Sequence, residues 1–246
     1  MQAITIIVTT GSIEEIFTEI TDHRSSSGLP FVTLSYAQSL DGSIAARRGA
    51  PLALSGEKSL LLTHQLRAAH DAILVGIGTV LADNPSLTVR LVAGRNPQPV
   101  ILDSRLRFPR EASMLKGDPQ PWIATLAGCE HERAKILERA GARLLELPAD
   151  GHGRVALPAL LARLGTLGVR RLMVEGGASV ITSFLSQRLV DLVVLTIAPV
   201  FVGGQNAIEA LLSTPKGGTE DFPRLGLPHA AEVGSDLIVW GRPLYI

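Results

Sequence analysis

The sequence predicts an α/β protein with a mainly parallel sheet. Eight short runs are rich in Val, Ile and Leu and are bounded by Gly, Pro or Asp, as strands are. Several are apolar at nearly every position, which is typical of strands covered on both faces. Helical patterns alternate with these runs, and the alternation favours parallel strands joined by helices. The predicted strands are FVTLSY (31–36), AILVGI (72–77), PVILD (99–103), WIATL (122–126), RLLEL (143–147), RLMVE (171–175), LVVLTIAPV (192–200) and LIVW (237–240).

Four helices are predicted between these strands, and residues at their ends support them. Ser55 precedes the first and is a typical N-cap residue. Gly141 ends the second, where glycine is a common C-cap. Pro158 lies near the first turn of the third, and the fourth follows a double glycine. The predicted helices are residues 56–69, 130–141, 157–168 and 179–189.

The start of the chain differs in character from the rest. We predict an N-terminal appendage over residues 1–28 and a single domain over residues 29–246. Within the appendage, GSIEEIFTEI (11–20) has the spacing of a capping box and predicts a short helix. HRSSSGLP (23–30) has the composition of a linker. Near the other end, the Pro- and Gly-rich residues 214–229 predict a long loop.

The composition narrows the class of protein. Among 246 residues, 23 Lys and Arg balance 23 Asp and Glu, so the formal net charge is zero. This balance argues against a nucleic-acid-binding protein that relies on a strong overall positive field. Cys129 is the only cysteine, which excludes an intrachain disulfide and a Cys-rich zinc site. Because neither a signal peptide nor an apolar run of membrane-spanning length is present, we expect a soluble cytoplasmic protein without a metal or a membrane partner.

The segment MVEGGAS (173–179) places a carboxylate and two glycines at the end of an apolar strand. Glycines at this point allow a phosphate to approach the first N–H groups of the following helix, where the helix dipole favours an anion. Tight strand–helix packing explains the glycines equally well. Glu175 tips the balance toward a binding site, because a carboxylate at a strand end must meet a cation or a polar ligand.

The segment ILVGIGTVLADNPSLTVR (73–90) repeats the pattern of a buried strand ending in glycines. Thr79 then adds a hydroxyl, and Asp83 and Arg90 flank an Asn-Pro turn. Ligands of open α/β sheets bind at the carboxyl ends of strands, where these residues are expected. Neither a complete dinucleotide-binding glycine motif nor a P-loop follows, so both standard phosphate motifs are absent.

Two further glycine motifs are weaker signals. Asp41-Gly42 is a common turn signal, and we read it as a turn. Gly203-Gly204 follows the strand that contains Pro199, and an edge or bulge is the favoured reading there. Together, the glycine-lined strand ends predict a site for a phosphorylated small molecule, together with a nucleotide.

Five segments in order resemble the pyrimidine reductase family of riboflavin biosynthesis, over residues from about Leu29 to the C-terminus. GTVLADNPSLTVR, VEGG and APVFVGG are the most specific of the matching motifs; the others are TLSYAQSLDGSIA and PVILDSRLRFP. The resemblance implies a dihydrofolate-reductase-like three-layer fold with helices on both faces of the sheet. It also implies a homodimer, NADPH as the cofactor, and reduction of a phosphorylated ribosylamino-pyrimidine to its ribityl form.

The resemblance also assigns residues to roles, position by position. Glu175 and Asp83 are the catalytic candidates. The residues that match substrate contacts are Arg67, Leu87, Arg90 and Glu175. Those that match NADPH contacts are Ala37, Thr79, Asp83, Ser104, Gly177, Ala178, Ser179, Val180, Ile181, Thr182 and Ser183.

The chain departs from the fused bacterial members of the family at two places. Ser35 stands where those enzymes have a lysine, and Ala53 stands where they have a tryptophan. Both departures favour similarity to the stand-alone members. Two alternatives stay open at this point: a related reductase with another substrate, and a nucleotide-binding protein without activity.

Overall fold

The structure is a computed structural model that describes residues 9–22, 28–209, 211 and 222–245. No helix in these ranges is long and apolar enough to cross a membrane. The linker predicted at 23–30 lies mostly outside them. The described helices are α1 (Ile13–Asp22), α2 (Glu57–Ala69), α3 (Ile77–Asp83), α4 (His131–Arg139), α5 (Leu157–Thr166) and α6 (Ala178–Ser186), with a 3-10 helix at Ser113–Lys116.

Most of the described strands form one large sheet with the order β1-β12-β13-β10-β2-β9-β5-β6-β7-β8. Every neighbouring pair from β10 to β8 is parallel, and β13 is antiparallel to β10 and β12. The predicted α/β class with a mainly parallel sheet is therefore confirmed. The strands are β1 (Thr9–Thr10), β2 (Phe31–Ser39), β3 (Ser43–Arg47), β4 (Ala50–Pro51), β5 (Ala72–Gly76), β6 (Gln98–Leu102), β7 (Trp122–Leu126), β8 (Arg143–Leu147), β9 (Arg171–Gly176), β10 (Leu192–Ala198), β11 (Gln205–Asn206), β12 (Arg224–Val233) and β13 (Asp236–Leu244).

Helices cover both faces of the sheet, because alternate strand residues point to opposite sides. Val174 and its neighbours on one face pack with α5 and α6 in the largest core cluster. On the other face, Met173 packs with α1 and α2. Ile73 lies on that same side, in a cluster with α3 and α4. Ile16 of α1 is fully buried, so α1 packs onto the sheet, while the division into residues 1–28 and 29–246 stays a prediction.

Three local predictions were wrong. Helix α3 begins directly after β5, where only a strand end was expected. Residues 224–229 belong to β12, not to a loop, and a register shift between Gly226 and His229 accommodates Pro228 within the strand. Ser55 does not cap α2, because the N-cap is Gly56 and no side chain bonds there.

The Asp41-Gly42 turn is confirmed, and its carboxylate joins two segments. Asp41 accepts hydrogen bonds from the Ser43 hydroxyl (3.0 Å) and from the backbone N–H groups of Val202 (2.9 Å) and Gly203 (2.6 Å). Bonds from Ser39, Val202 and Gly203 hold the pKa of Asp41 well below its usual value. The Gly203-Gly204 pair therefore lies against this turn.

His70 links α2 to β2 inside the protein. Its Nδ1 lies 2.7 Å from the carbonyl oxygen of Leu66, and its Nε2 lies 2.8 Å from Thr33 Oγ1. A carbonyl only accepts, so Nδ1 carries the proton and Nε2 accepts from the Thr33 hydroxyl. Burial is the main cause that lowers the pKa of His70 to about 4.

We predict that His70 makes the protein acid-sensitive. Its pKa in the folded protein is about 4, below the ordinary value of 6.5, so the unfolded chain binds a proton at higher pH than the folded protein does. The free energy of unfolding is therefore unaffected by His70 above pH 6.5 and decreases as the pH falls from 6.5 toward 4. Between pH 7.5 and pH 5 this residue should cost about 2 kcal/mol of unfolding free energy. Urea unfolding of His70→Gln should show a smaller loss over this range. The exposed-residue control His152→Gln should keep the wild-type slope, and equal slopes for all three proteins would refute the role of His70.

Candidate functional site

The predicted site residues gather at the carboxyl ends of four neighbouring strands. In the sheet these strands lie in the order β2-β9-β5-β6. Ala37 lies in the last part of β2, and Glu175 lies near the end of β9. Thr79 lies in α3, which starts where β5 ends, and Ser104 follows β6. Parallel strands place these ends along one edge, so residues far apart in sequence share this edge of the sheet.

Glu175 owes its direction to an irregularity in β9. Leu74 of β5 pairs with Val174, but Val75 pairs with Gly176, so Glu175 is an extra residue in β9. Such bulges bend a strand and redirect a side chain. Pairing of β9 with β2 also stops at Val174, whereas β2 continues to Ser39 beside β10. Glu175 therefore lies where the sheet opens between β2 and β5.

A bidentate ion pair joins Glu175 to Arg67 of α2. Arg67 Nε donates to Glu175 Oε1 at 2.6 Å, and Nη2 donates to Oε2 at 2.8 Å. The two side chains are only 12% and 15% exposed. Burial acts to lower the pKa of Arg67, but the charge and hydrogen bonds of Glu175 outweigh it and raise that pKa. The sequence indicated that Glu175 must meet a cation or a polar ligand, and in the structure Arg67 is that cation.

Arg67 also holds the segment that contains Leu87 and Arg90. Its Nη1 donates to the carbonyl oxygen of Thr88 at 3.1 Å. Leu87 is buried and has a left-handed backbone with φ 52°. Arg90 is exposed, and its Nη1 donates to the Thr88 hydroxyl at 2.9 Å. The predicted substrate residues Arg67, Leu87, Arg90 and Glu175 therefore form one connected group.

His64 belongs to this group and was missed by the sequence analysis. It lies three residues before Arg67 on α2, and its Nδ1 accepts the backbone N–H of Arg90 at 3.0 Å. Residues three apart on a helix share a face, so the position of Arg67 is a signal that could have found His64.

The glycines after Glu175 make room between α6 and α3. Gly176 and Gly177 have φ values of 105° and 90°, which other residues rarely adopt. A Cβ on Gly177 would lie 3.2 Å from Thr79 Oγ1. Gly177 is the N-cap of α6, and no side chain caps that end. The Thr79 hydroxyl therefore lies close to the N-terminus of α6, whose first turn is not capped by a side chain.

The other predicted cofactor residues divide into three groups. Ala178, Val180 and Ile181 are buried, so only their backbone can reach a ligand. The Ser179 hydroxyl lies 3.5 Å from the Glu209 carboxylate, and the Thr182 hydroxyl accepts the Glu209 N–H at 2.9 Å. Ser183 lies one turn further along α6, on the side of Arg154.

Arg154 connects two predicted cofactor residues and was also missed by the sequence analysis. Its Nη1 lies 3.4 Å from Ser183 Oγ, and the N–H of the next residue, Val155, donates to Ser104 Oγ at 3.1 Å. The side chain is half exposed and pairs with Asp150 at 3.3 Å. An arginine thus lies beside two serines at the predicted cofactor side.

Asp83 is the other predicted catalytic residue. It is largely exposed at the end of α3, and partial desolvation of its carboxylate raises its pKa. It is four residues after Thr79, so both lie on the same face of α3. Its catalytic role stays a prediction.

The fold is that of an α/β protein whose predicted site residues lie at the carboxyl ends of neighbouring parallel strands. Residues 30–239 match the RibD C-terminal domain family. The chain is 40% identical over 214 residues to the 2,5-diamino-6-ribosylamino-4(3H)-pyrimidinone 5′-phosphate reductase of Methanothermobacter thermautotrophicus. This match covers 85% of this chain and 96% of that protein. It is 36% identical over 223 residues to the RibD protein of Bacillus amyloliquefaciens, a match that covers 90% of this chain and 59% of that longer protein.

A solved structure shows the same fold. The Saccharomyces cerevisiae riboflavin biosynthesis reductase Rib7 matches with a TM-score of 0.72 and 26% identity, over 94% of this chain and 98% of that one. The chain belongs to the riboflavin-biosynthesis pyrimidine reductase family, and it is an oxidoreductase. The family resemblance seen in the sequence is confirmed.

We predict that Arg67 stabilises the fold mainly through Glu175. Arg67→Met leaves a mostly buried carboxylate without its cation and should cost about 3 kcal/mol of unfolding free energy in urea. The double variant Arg67→Met/Glu175→Gln removes that charge and should recover part of the loss.

Arg171→Met is the matched control. Its pair with Asp71 spans 3.2 Å, but the side chains are 35% and 33% exposed, so the loss should be about 1 kcal/mol or less. Equal losses for Arg67→Met and the double variant would show that the ion pair is not the cause.

Proposed function

We propose that the chain uses NADPH to reduce the ribosylamino side chain of a phosphorylated pyrimidine to a ribitylamino side chain, a reaction of riboflavin biosynthesis. The observation that carries the proposal is the connected group of Glu175, Arg67 and Arg90 beside the glycine turn. Relatives named as reductases of a pyrimidinone 5′-phosphate support it. As the resemblance implies, the proposed assembly is a homodimer. The proposed location, expected from the sequence, is the cytoplasm.

Glu175 is suited to bind the polar part of the substrate. A carboxylate has about four lone-pair sites, and Arg67 uses two of them. The remaining sites accept hydrogen bonds from amino or hydroxyl groups. Because Arg67 holds both oxygens, the carboxylate is fixed before the substrate binds, and such preorganisation favours catalysis.

Arg90 is suited to bind the phosphate. It is exposed, and its guanidinium presents donors in a planar fork that matches phosphate oxygens. The neighbouring Thr88 hydroxyl holds one end of that fork at 2.9 Å. The phosphate would therefore bind to the segment of Arg90, and the pyrimidine would bind to Glu175 at the end of β9. Arg67 links these two places through its hydrogen bonds to Thr88 and Glu175.

The glycine turn fits a dinucleotide. Gly177 lacks the Cβ that would press on Thr79, and the uncapped first turn of α6 offers backbone N–H donors to a phosphate. The residues that would hold NADPH are Thr79, Ser104 and the start of α6. When bound, NADPH supplies the hydride for the reduction.

The residues also bear on the choice between NADPH and NADH. The two cofactors differ by one phosphate on the adenosine ribose, and arginine is a frequent partner of phosphates. Arg154 lies beside Ser183 and next to the Ser104 contact, so it is placed to bind that phosphate. We therefore propose NADPH as the preferred cofactor.

The direct test measures NADPH consumption as the loss of absorbance at the reduced nicotinamide band. The purified chain receives the 2,5-diamino-pyrimidine phosphate in one reaction and its deaminated form in another. We expect consumption with at least one of them and none with dihydrofolate, the control substrate. No consumption with either pyrimidine refutes the proposed function.

We predict large losses of activity when Glu175 or Arg90 is truncated. Glu175→Ala and Arg90→Ala should each lower kcat/KM by about 10- to 1,000-fold. Arg95→Ala is the matched control, an exposed arginine in the same segment, and should stay within about twofold of the wild type. Thr79→Val should mainly raise the KM for NADPH. If Glu175→Ala and Arg90→Ala both stay within twofold, the site is misplaced.

We predict that Arg154 sets the preference for NADPH. Arg154→Gln should raise the KM for NADPH by about 10-fold or more, since charged hydrogen bonds to phosphate contribute roughly 1.5–3 kcal/mol, and should leave the KM for NADH nearly unchanged. Arg163→Gln is the control, because Arg163 is an exposed arginine near the C-terminal end of α5. An equal loss with both cofactors would mean that Arg154 acts on the fold and not on the phosphate.

A further inference from the structure

His64 is a buried histidine in direct contact with the proposed phosphate-binding segment. It is 1% exposed on α2. Its Nδ1 lies 3.0 Å from the backbone nitrogen of Arg90. Because the contact is to the backbone of Arg90, it fixes the position of the backbone from which the Arg90 side chain extends. The proposed function assigns no role to this contact.

The direction of this hydrogen bond fixes the state of the ring. A backbone N–H can only donate, so Nδ1 must carry a lone pair and the proton must be on Nε2. Protonation would turn Nδ1 into a donor facing another donor, which breaks the contact. The hydrogen bond therefore requires a neutral His64.

The surroundings keep His64 neutral. Burial, followed by the positive charges of Arg67 and Arg90, lowers its pKa, while the charge of Glu175 acts in the opposite direction. These groups face His64 from α2, from the segment around Arg90 and from β9. Above the ordinary histidine range the ring is thus a stable acceptor.

Two side chains of α2 hold this segment from one side. His64 holds the N–H of Arg90, and Arg67 holds the carbonyl of Thr88. Among the described residues, these are the two hydrogen bonds that join α2 to residues 87–90. Leu87, just before, has the unfavourable φ of 52°, so the segment needs anchors to keep its conformation.

We propose that His64 is a positioning residue that holds Arg90 in place to bind the phosphate of the substrate, an inference that rests on the proposed function. It does not touch the reacting atoms. Its loss should therefore weaken phosphate binding and leave the chemical step nearly intact. Because the contact needs a neutral ring, the substrate should also bind less tightly in acid.

The experiment compares His64→Leu with His64→Asn. Asparagine places an amide oxygen near the position of Nδ1 and can accept the same N–H, whereas leucine cannot. Ribose 5-phosphate is titrated into each purified variant by calorimetry, and kcat and KM are measured with the pyrimidine phosphate. Unfolding in urea shows that each variant is folded.

We expect His64→Leu to raise the Kd for ribose 5-phosphate and the KM by about 10-fold with kcat within twofold, as the loss of one buried hydrogen bond does. His64→Asn should stay within about threefold. In an Arg90→Ala background, His64→Leu should have no further effect, because the two residues act through one contact. The acid fall of kcat/KM should also weaken in His64→Asn.

Three results would overturn the inference: equal losses in His64→Asn and His64→Leu, additive losses with Arg90→Ala, or a fall in kcat with KM unchanged. Its failure is separable from failure of the proposed function. A chain that reduces neither pyrimidine refutes the function, while the ribose 5-phosphate titrations still report on the His64–Arg90 contact. A chain that reduces the pyrimidine but shows additive losses refutes the inference alone.

Discussion

The ion pair between Arg67 and Glu175 joins three parts of the chain that are distant in sequence. It ties α2 to the end of β9, and the same guanidinium holds the segment at Thr88. Both side chains are mostly buried, so neither charge tolerates the loss of the other. The rest of the proposed site depends on this pair, because Arg67 holds the Glu175 carboxylate and the backbone at Thr88, and it lies on the same helix as His64.

The end of β9 separates the two proposed ligands. Met173 packs on the α2 side of β9 and Val174 on the α6 side, and the hydrogen bond from Arg67 shows that Glu175 points toward α2. The extra residue at Glu175 and the positive φ of Gly176 then end the strand. The residues proposed to bind the substrate therefore lie on the α2 side, and the first turn of α6, proposed to bind the cofactor, lies on the other side.

Sequence patterns predicted the α/β class, most strands and four helices, because buried strands and amphipathic helices have strong periodic signals. They missed α3, since seven residues with a glycine directly after a strand read as the end of that strand. They identified Glu175 as a charge in need of a partner, but Arg67 lies 108 positions away and only the fold brings it there. His64 was one of six scattered histidines; its spacing from Arg67 indicates a shared helix face, but its contact with the backbone of Arg90 is seen only in the structure.

In the proposed function, this sheet edge brings a reduced nicotinamide and a phosphorylated ribosylamino-pyrimidine together. The most direct measurement supplies the pyrimidine with NADPH deuterated at both C4 positions of the nicotinamide and analyses the product by mass spectrometry and NMR. We expect one deuterium in the product, on C1′ of the new ribityl chain. A reduced product without deuterium, or with deuterium at another position, would contradict it.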